Sequence, residues 1–377
     1  TSNPDLAGFA VIAARAVARA KVAPEDRFAG LTPAAELARP VPDLDLFDPT
    51  HLSTDALAAM ALEAEAAALA VAGVTKSGGA SASTGTGGFV LVTSEGFAGS
   101  WTGSRHGVSM TAIAGEGVGM ERDYDWSSEV HVADLAAPAT VGRRAGERAA
   151  RRFGPRKIET RGLPLLFERR AAASLVGHLA GAINGASIAR GTSFLKSKLG
   201  ERVFPAAIRI VDDPHVKRGA NSKPFDGEGR ATARRAFVED GRITSWVLDG
   251  ATARELGLAS TGNAQRGVGS APSPGLSNLT LEDGDTGFEA MVKRIGTGLL
   301  VTDLIGHGAN IVTGDYSRGC SGFMCENGEI AYPVAEITIA GHLSTMFGAL
   351  EACADGERNG SITCPSLFVG EMTVAGR

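Results

Sequence analysis

The amino-acid sequence predicts an α+β protein. An N-terminal α/β portion is followed by a large, mostly antiparallel, β-rich C-terminal domain with one buried helix. Three observations lead to this class. Gly makes up 50 of the 377 residues, about twice its average share, and tight turns between strands use glycine because it enters positive φ freely. Only 6% of residues are aromatic, so a core of Ala, Val, Leu and Ile is expected. Apolar residues follow a helical period up to Gly73 and alternate from Gly78 onward.

The first elements along the chain are helical. Residues 5–21 and residues 53–73 both repeat apolar positions at helical spacing, and the second of these segments ends at a glycine. The Pro-rich stretch 32–51 between them is typical of a connection between domains. Because the chain opens directly on a helix start without an initiator Met, we expect this sequence to lack an N-terminal part of the natural protein.

The middle of the chain changes to strands. From Gly78 to Glu129 apolar and polar residues alternate between glycines, which predicts three or four antiparallel strands with a hairpin near Glu95 and Gly96. A helix over 140–152 closes this unit. We therefore predict three parts: 1–40, a helical remainder of an N-terminal domain and its linker; 41–155, a central α+β domain; and 156–377, the β-rich C-terminal domain.

The C-terminal part begins with a short buried strand over 163–167 and a helix over 170–184. Further strands are predicted over 206–211, 230–238, 242–248, 298–306 and within 314–343. The stretch that ends at Pro274 is rich in loops. In 314–343 the sequence AYPVAEITIAG alternates, which predicts two sides of one strand: Val334, Glu336 and Thr338 on one, and Ala335, Ile337 and Ile339 on the other.

Composition and charge argue against several classes of protein. The formal net charge is −5, so no overall basic surface for nucleic acid is expected, and the arginine-rich run 143–153 is interpreted as a solvated helix face. No run of about 18 apolar residues is present, which predicts no membrane span. The four cysteines form no C-x-x-C pair and do not suggest a disulfide framework, and no signal peptide is visible. A cytoplasmic protein is therefore expected.

Few residues have the spacing of a catalytic or metal site. His178, in LVGHLAGAING, has no Glu beside it and no His within a turn or two, so it does not form a hydrolytic zinc helix. Asp226 and Glu228 lie in a Gly-rich loop, where carboxylates serve either acid–base and metal chemistry or the backbone N–H groups of turns. Arg266, in TGNAQRGVG, is a candidate for holding an anion, although the segment lacks the context of a phosphate loop.

Several longer motifs resemble the TldD/PmbA family, which is named for a bacterial metalloprotease complex of two related subunits. The resemblance rests on IARGTSFL, DDP, KPFDGEG, DGRITSWVLDGATARELGL, STGNAQR and GHGANIVTGDYSRGCSGFMCENGEIAYPVAEITIAGHL, with EMTVAG near the end. It covers residues from about 40 to 377 and is strongest after residue 160. Members also carry the name modulator of DNA gyrase.

The resemblance implies a specific place for zinc. One subunit type, TldD-like, carries His-Glu-x-x-x-His at the start of a helix, and a late Cys completes the zinc site. In this sequence the corresponding positions are Phe167, Glu168 and Ala172. Phe and Ala cannot bind zinc, so the chain looks like the PmbA (TldE)-like subunit. No catalytic residue, metal or cofactor is assigned to it, and zinc is expected in a TldD-like partner. Cys364 matches the late Cys, and a rebuilt site would use His178 with Cys364.

The resemblance also implies partners and substrates. The partner is a TldD-like subunit in a heterodimer, or a second copy of the chain in a homodimer. The substrate is an extended or unfolded peptide, which is matured or degraded. The candidates for peptide binding or for the subunit interface are Asp226, Glu228, Arg266, Ser317, Arg318, Glu326 and Asn327. Two alternatives stay open. One is a stand-alone metallopeptidase with an unusual site, and the other is a non-enzymatic adaptor that binds peptides.

Overall fold

A computed structural model describes residues 8–267, 269–358 and 360–376 of the chain. The helices are α1 Phe9–Val22, α2 Thr54–Leu69, α3 Pro138–Arg151, α4 Arg169–Ala182, α5 Gly185–Ala189, α6 Gly250–Leu256, α7 Phe288–Ile295 and α8 Leu343–Gly348. The strands are β1 Val74–Val92, β2 Ala98–Ala114, β3 Glu121–Glu129, β4 Arg161–Phe167, β5 Ile210–Asp212, β6 Arg235–Glu239, β7 Arg242–Ile243, β8 Ala264–Gln265, β9 Ser273–Pro274, β10 Leu279–Leu281, β11 Gly298–Ile305, β12 Asp315–Glu326, β13 Glu329–His342, β14 Glu351–Ala352, β15 Ile362–Thr363 and β16 Leu367–Ala375.

The predicted α+β class is confirmed. The N-terminal helix begins at Phe9 and has no buried residue, while residues 5–7 of the predicted helix lie outside the described residues. Within the described part of the chain, no helix combines the length and apolar character needed to span a bilayer.

The central unit is a three-stranded antiparallel sheet in the order β1-β2-β3, with α2 and α3 on one face. Even-numbered residues of β2, among them Val108, Met110 and Ala112, are buried against these helices. The helices approach each other closely because α3 has Gly142 at the contact, where a Cβ would lie 1.9 Å from the Ala64 carbonyl oxygen. The hairpin between β1 and β2 lies where it was predicted.

The C-terminal part is built on a strand barrel. Its sheet has the order β13-β12-β11-β4-β16-β14, and a further pairing between β13 and β16 closes five strands on themselves. That closure uses only three residue pairs, between 338–340 and 373–375. The main core contains residues of the barrel, of α4 and of the second sheet, β15-β10-β5-β6-β7. The buried face of α4 lies in this core.

Two details differ from the predicted strands. The strands predicted over 206–211, 230–238 and 242–248 are reduced to the short β5, β6 and β7, because flanking residues pair elsewhere. Val247, for example, bridges Asn184.

In β13, Ala335 and Glu336 together oppose the single residue between Cys320 and Gly322, and Glu336 has φ 54°. This β-bulge shifts the alternation by one. The assignment of Val334 to the side of Glu336 and Thr338 is therefore wrong: Val334 is buried like Ile337 and Ile339.

Candidate functional site

The junction of β4 and α4 holds the positions where the resemblance places zinc ligands. Phe167, the last residue of β4, and Ala172, in the first turn of α4, are fully buried in the main core. Glu168 between them is the N-cap of α4, and its side chain accepts a hydrogen bond from the Arg170 N–H at 3.3 Å. A benzyl ring and a methyl group therefore stand where imidazoles would be needed, so these residues do not fit a zinc ion.

A buried ion-pair network centred on Asp123 joins α4 to the central sheet. One Asp123 oxygen accepts a hydrogen bond from Arg170 at 2.9 Å and the other accepts one from Arg152 at 3.3 Å. Arg170 also donates to Glu168 at 3.0 Å. Arg152 additionally donates to the Ser321 hydroxyl on the barrel strand β12. Burial alone would raise the pKa of Asp123, but the hydrogen bond and charge of Arg170 outweigh it and hold that pKa below its ordinary value.

This network corrects one prediction. The run 143–153 was interpreted as a solvated helix face, which holds for the exposed arginines of the run, but Arg152 is only 7% exposed and Arg148 donates to Asp125 at 2.6 Å. Two spacings in the sequence, taken together, could have indicated this network. Asp123 and Asp125 are two apart on β3, so they share one face of that strand. Arg148 of α3 and Arg152, the C-cap of the same helix, are four apart and also share one face.

A cavity of about 310 Å³ adjoins the start of α4. Arg169 and Ala173 of α4 line it, together with Cys364 and Glu357 from the segment before β16. Arg169 forms an ion pair with Glu357. Cys364 is 3% exposed, its thiol donates to the Pro365 carbonyl at 3.2 Å, and burial raises the pKa of that thiol strongly. Cys364 is therefore a buried thiol packed beside the cavity.

His178 lies apart from this cavity. Its ring packs edge-on against Tyr316 of β12, with centroids 6.0 Å apart, and no described residue accepts or donates a hydrogen bond at its buried Nε2. Burial, and then the charge of Arg318, lowers the pKa of His178. Across residues 8–267, 269–358 and 360–376, no group of three or more His, Cys, Asp or Glu side chains is arranged to hold a metal ion.

Asp226 and Glu228 are part of the loop that carries them. Asp226 accepts hydrogen bonds from the backbone N–H groups of Glu228 and Arg230, both at 2.9 Å, and from that of Ala264 at 3.2 Å. Glu228 accepts one from the Gly250 N–H at 2.8 Å, and burial raises the pKa of Glu228 to about 7. Both carboxylates satisfy buried backbone groups, the second of the two readings that the sequence left open.

Arg266 is exposed, and together with Asp226 it lines a groove of about 660 Å³ between the central sheet and loops of the C-terminal part. The structure thus brings these two predicted residues to one place. Nothing in the spacing of the sequence indicated this groove. Its floor is made of glycines, and the glycine-rich stretch of β1 was used only as a turn and strand signal.

Ser317 and Arg318 lie in the barrel wall, away from that groove. Ser317 is exposed on β12, and its backbone N–H donates to the Gly308 carbonyl at 2.7 Å. Arg318 is half-buried and donates to the Leu304 carbonyl at 3.3 Å. Its buried Nε has no hydrogen-bond partner among the described residues. Both edges of β12 are paired, with β11 and with β13, so this strand offers no free edge to a peptide.

Glu326 and Asn327 lie at the hairpin between β12 and β13. Asn327 and Gly328 have φ of 53° and 80° and form its two-residue turn, the positive-φ geometry for which Asn-Gly is preferred. Glu326 accepts a hydrogen bond from the Tyr332 hydroxyl at 3.2 Å. Asn327 is explained by the turn alone.

Comparison with known proteins agrees with the motifs. Two family models match the chain, the PmbA/TldA metallopeptidase central domain over 47–153 and the PmbA/TldA metallopeptidase C-terminal domain over 160–376. Metalloprotease PmbA of Escherichia coli O157:H7 is 41% identical over 354 residues, which cover 93% of this chain and 77% of that protein.

Solved structures share the fold. A crystal structure from Bacteroides thetaiotaomicron, named a proposed modulator of DNA gyrase, has a TM-score of 0.88 at 26% identity and covers 97% of this chain and 82% of that one. TldE from Thermococcus kodakarensis has a TM-score of 0.83 at 21% identity, with 96% and 83% covered. The likeness spans nearly the whole chain rather than one motif.

Proposed function

This chain belongs to the PmbA/TldD metallopeptidase family, and on that premise we propose that it is the non-catalytic, PmbA (TldE)-type subunit of a two-subunit metalloprotease. In this proposal a TldD-like partner supplies the zinc and the general base. The present chain forms part of the wall that encloses an extended or unfolded peptide.

The observation that carries the proposal is the filling of the β4–α4 junction. Phe167 and Ala172 are fully buried, and Glu168 is engaged as helix cap and as partner of Arg170. A hydrolytic zinc needs nitrogen, sulfur or oxygen ligands and an open position for water. Hydrocarbon packed into a core supplies neither, so hydrolysis is left to the partner.

The alternative of a stand-alone peptidase finds no support at His178 or Cys364. The two side chains contact different neighbours, Tyr316 and Pro365 respectively, and among the described residues neither belongs to a group of three or more His, Cys, Asp or Glu side chains that could hold a metal ion. All four cysteines are free and buried, as is usual in a reducing compartment. We therefore infer a cytoplasmic location.

The test is peptide hydrolysis with and without a partner. The full chain is purified, dialysed and assayed for zinc, then incubated with an unfolded peptide alone or with the TldD-like subunit of the same organism. We expect no stoichiometric zinc and no cleavage by the chain alone, and cleavage once the partner is added. The same partner with its own motif Glu changed to Gln is the control and should be inactive in the complex.

Two other outcomes decide against the proposal. Cleavage by the chain alone, lost in Glu168→Gln, would make it a peptidase in its own right. Peptide binding without cleavage under any pairing would make it an adaptor.

A further inference from the structure

The groove beside Arg266 has an unusual floor. It lies over the sheet face opposite α2 and α3, where β1 and β2 pair Gly85 with Arg105, Gly87 with Gly103, and Phe89 with Trp101. A Cβ added at Gly85 or Gly87 would meet no atom within 4 Å. These glycines are therefore not required by close packing. Their effect is to leave the main chain of the sheet bare over a space of about 660 Å³.

Aromatic side chains line one end of this glycine-floored groove. Phe225 is buried and lies 6.1 Å from Phe89, centroid to centroid. Phe89 and Trp101 are half-buried and line the groove. Rings held in this way offer a rigid apolar surface that costs little side-chain entropy when a ligand binds.

Cations line the rest of the groove. Arg105 is held by the Ala220 carbonyl at 2.5 Å, and Lys223 donates to the Ala264 carbonyl at 3.2 Å. No described residue pairs with the exposed guanidinium of Arg266. Among the described residues that line the groove, Asp226 is the only one with a carboxylate, and this carboxylate accepts hydrogen bonds from backbone N–H groups. Burial lowers the pKa of Lys223, which lies close to Asp226 and Asp212, so the cations that can serve a ligand are Arg105 and above all Arg266.

We propose that the glycine-floored groove binds an extended peptide segment that carries carboxylate side chains together with an apolar one. The bare floor lets a peptide main chain approach the sheet closely. The rings take the apolar side chain, and Arg105 and Arg266 pair with the carboxylates. The choice of a peptide as ligand rests on the proposed function, whereas the position and the charge preference rest on the groove itself.

Binding is measured on the isolated full chain by fluorescence anisotropy. The probe is a fluorescein-labelled peptide of about eight residues that spans roughly 26 Å when extended. It carries one Phe near one end and Glu at the following alternate positions, so that these side chains share one face. We expect saturable binding at low ionic strength that weakens as salt is added. The same peptide with Gln in place of every Glu is expected to bind about tenfold more weakly, because its side chains no longer carry charge.

Two matched variants locate the site. Gly87→Val puts a branched side chain into open space on the groove floor, so it should fold normally and weaken binding by about tenfold or more. Ser83→Val adds the same side chain on the same face of β1, outside the groove, and should leave binding unchanged. Arg266→Ala should weaken binding about threefold, with the effect vanishing at high salt.

Equal affinity for the Glu and Gln peptides, or unchanged binding in a folded Gly87→Val variant, would overturn the inference. Displacement of the peptide by a single-stranded RNA that itself binds more tightly would reassign the groove to nucleic acid. The zinc and cleavage tests of the proposed function use different readouts. The groove proposal can therefore hold even if those tests contradict the proposed function, and it can be overturned even if they support that function.

Discussion

The start of α4 and the glycine-floored groove both gather arginines, but only the first gathers the carboxylates that neutralise them. Around α4, Arg152 and Arg170 converge on the buried Asp123, and the junction beside them is filled by Phe167. In the groove, Arg266 projects into an open space with a bare floor. The difference teaches that arginines alone do not indicate a binding site, because those that meet buried carboxylates hold elements of the fold together.

The largest expected effect comes from breaking the buried ion-pair network of Asp123 at the start of α4. Asp123→Asn leaves Arg152 and Arg170 without their shared counter-charge in a buried place, and we expect it to lower the free energy of unfolding by about 3–5 kcal/mol. Denaturant unfolding measures this. The control is Glu147→Gln, whose partner Arg143 is 3.7 Å away on the surface, with an expected cost under about 0.5 kcal/mol. Equal costs for the two variants would mean that the network does not hold this region together.

The glycines of the two regions should respond differently to the same change. A Cβ at Gly322, in the barrel strand next to Ser321, would lie 1.9 Å from the Leu300 carbonyl oxygen, so Gly322→Ala should cost about 3 kcal/mol through backbone shifts. Gly87→Ala meets open space and should change stability by no more than about 0.5 kcal/mol. Thermal unfolding of both variants checks the contrast. A comparable loss in Gly87→Ala would show that the groove floor is packed after all.

A smaller effect concerns the carboxyl group of Glu228, which follows the groove residue Gly227 in the chain. The folded pKa of Glu228 is about 7, above the value of about 4.5 expected when the chain is unfolded. Between these pH values the folded state keeps a proton that the unfolded state has released. Stability contributed by this group is therefore present below about pH 4.5 and is lost as the pH rises to 7. Glu228→Gln cannot ionise and should be more stable than the parent at pH 8 by about 1–3 kcal/mol.

Melting temperatures of the parent and Glu228→Gln at pH 5 and pH 8 test this. The two should converge at the lower pH and separate at the higher one. Parallel profiles would indicate that Glu228 is charged and well solvated in the folded protein, and would return it to the candidates for direct contact with a ligand.

Local patterns account for what could be predicted from the sequence. Alternation between glycines is enough to indicate β1 and β2 and their hairpin, and Asn327-Gly328 is a turn that two residues specify on their own. The bulge in β13 is not visible locally, because it depends on how Glu336 is accommodated opposite β12. The short strands β5 to β7 escape prediction for a similar reason, since bridges to distant residues end them.

The site was less predictable than the fold. The motif alone places Phe167 and Ala172 at the positions where the resemblance expects zinc ligands, but it does not reveal that both are buried. Asp226 and Arg266 lie close together because Asp226 accepts a hydrogen bond from the Ala264 N–H, and the groove beside them exists because β1 and β2 of the central unit pass next to these loops. A spacing along the chain carries no information on such a meeting between distant segments.

The closure of the barrel has a consequence for the order in which the protein is made. Strand β4 ends at Phe167, but it pairs with β16, which begins at Leu367. A ribosome must therefore synthesise nearly all of the C-terminal part before β4 can gain that neighbour, and the last three pairs of the ring form after that. Until then the nascent chain carries an unpaired strand edge next to apolar core residues, a form prone to aggregation. The central unit, whose contacts are local, can fold as it emerges, whereas the barrel stays open until its last strand has been made.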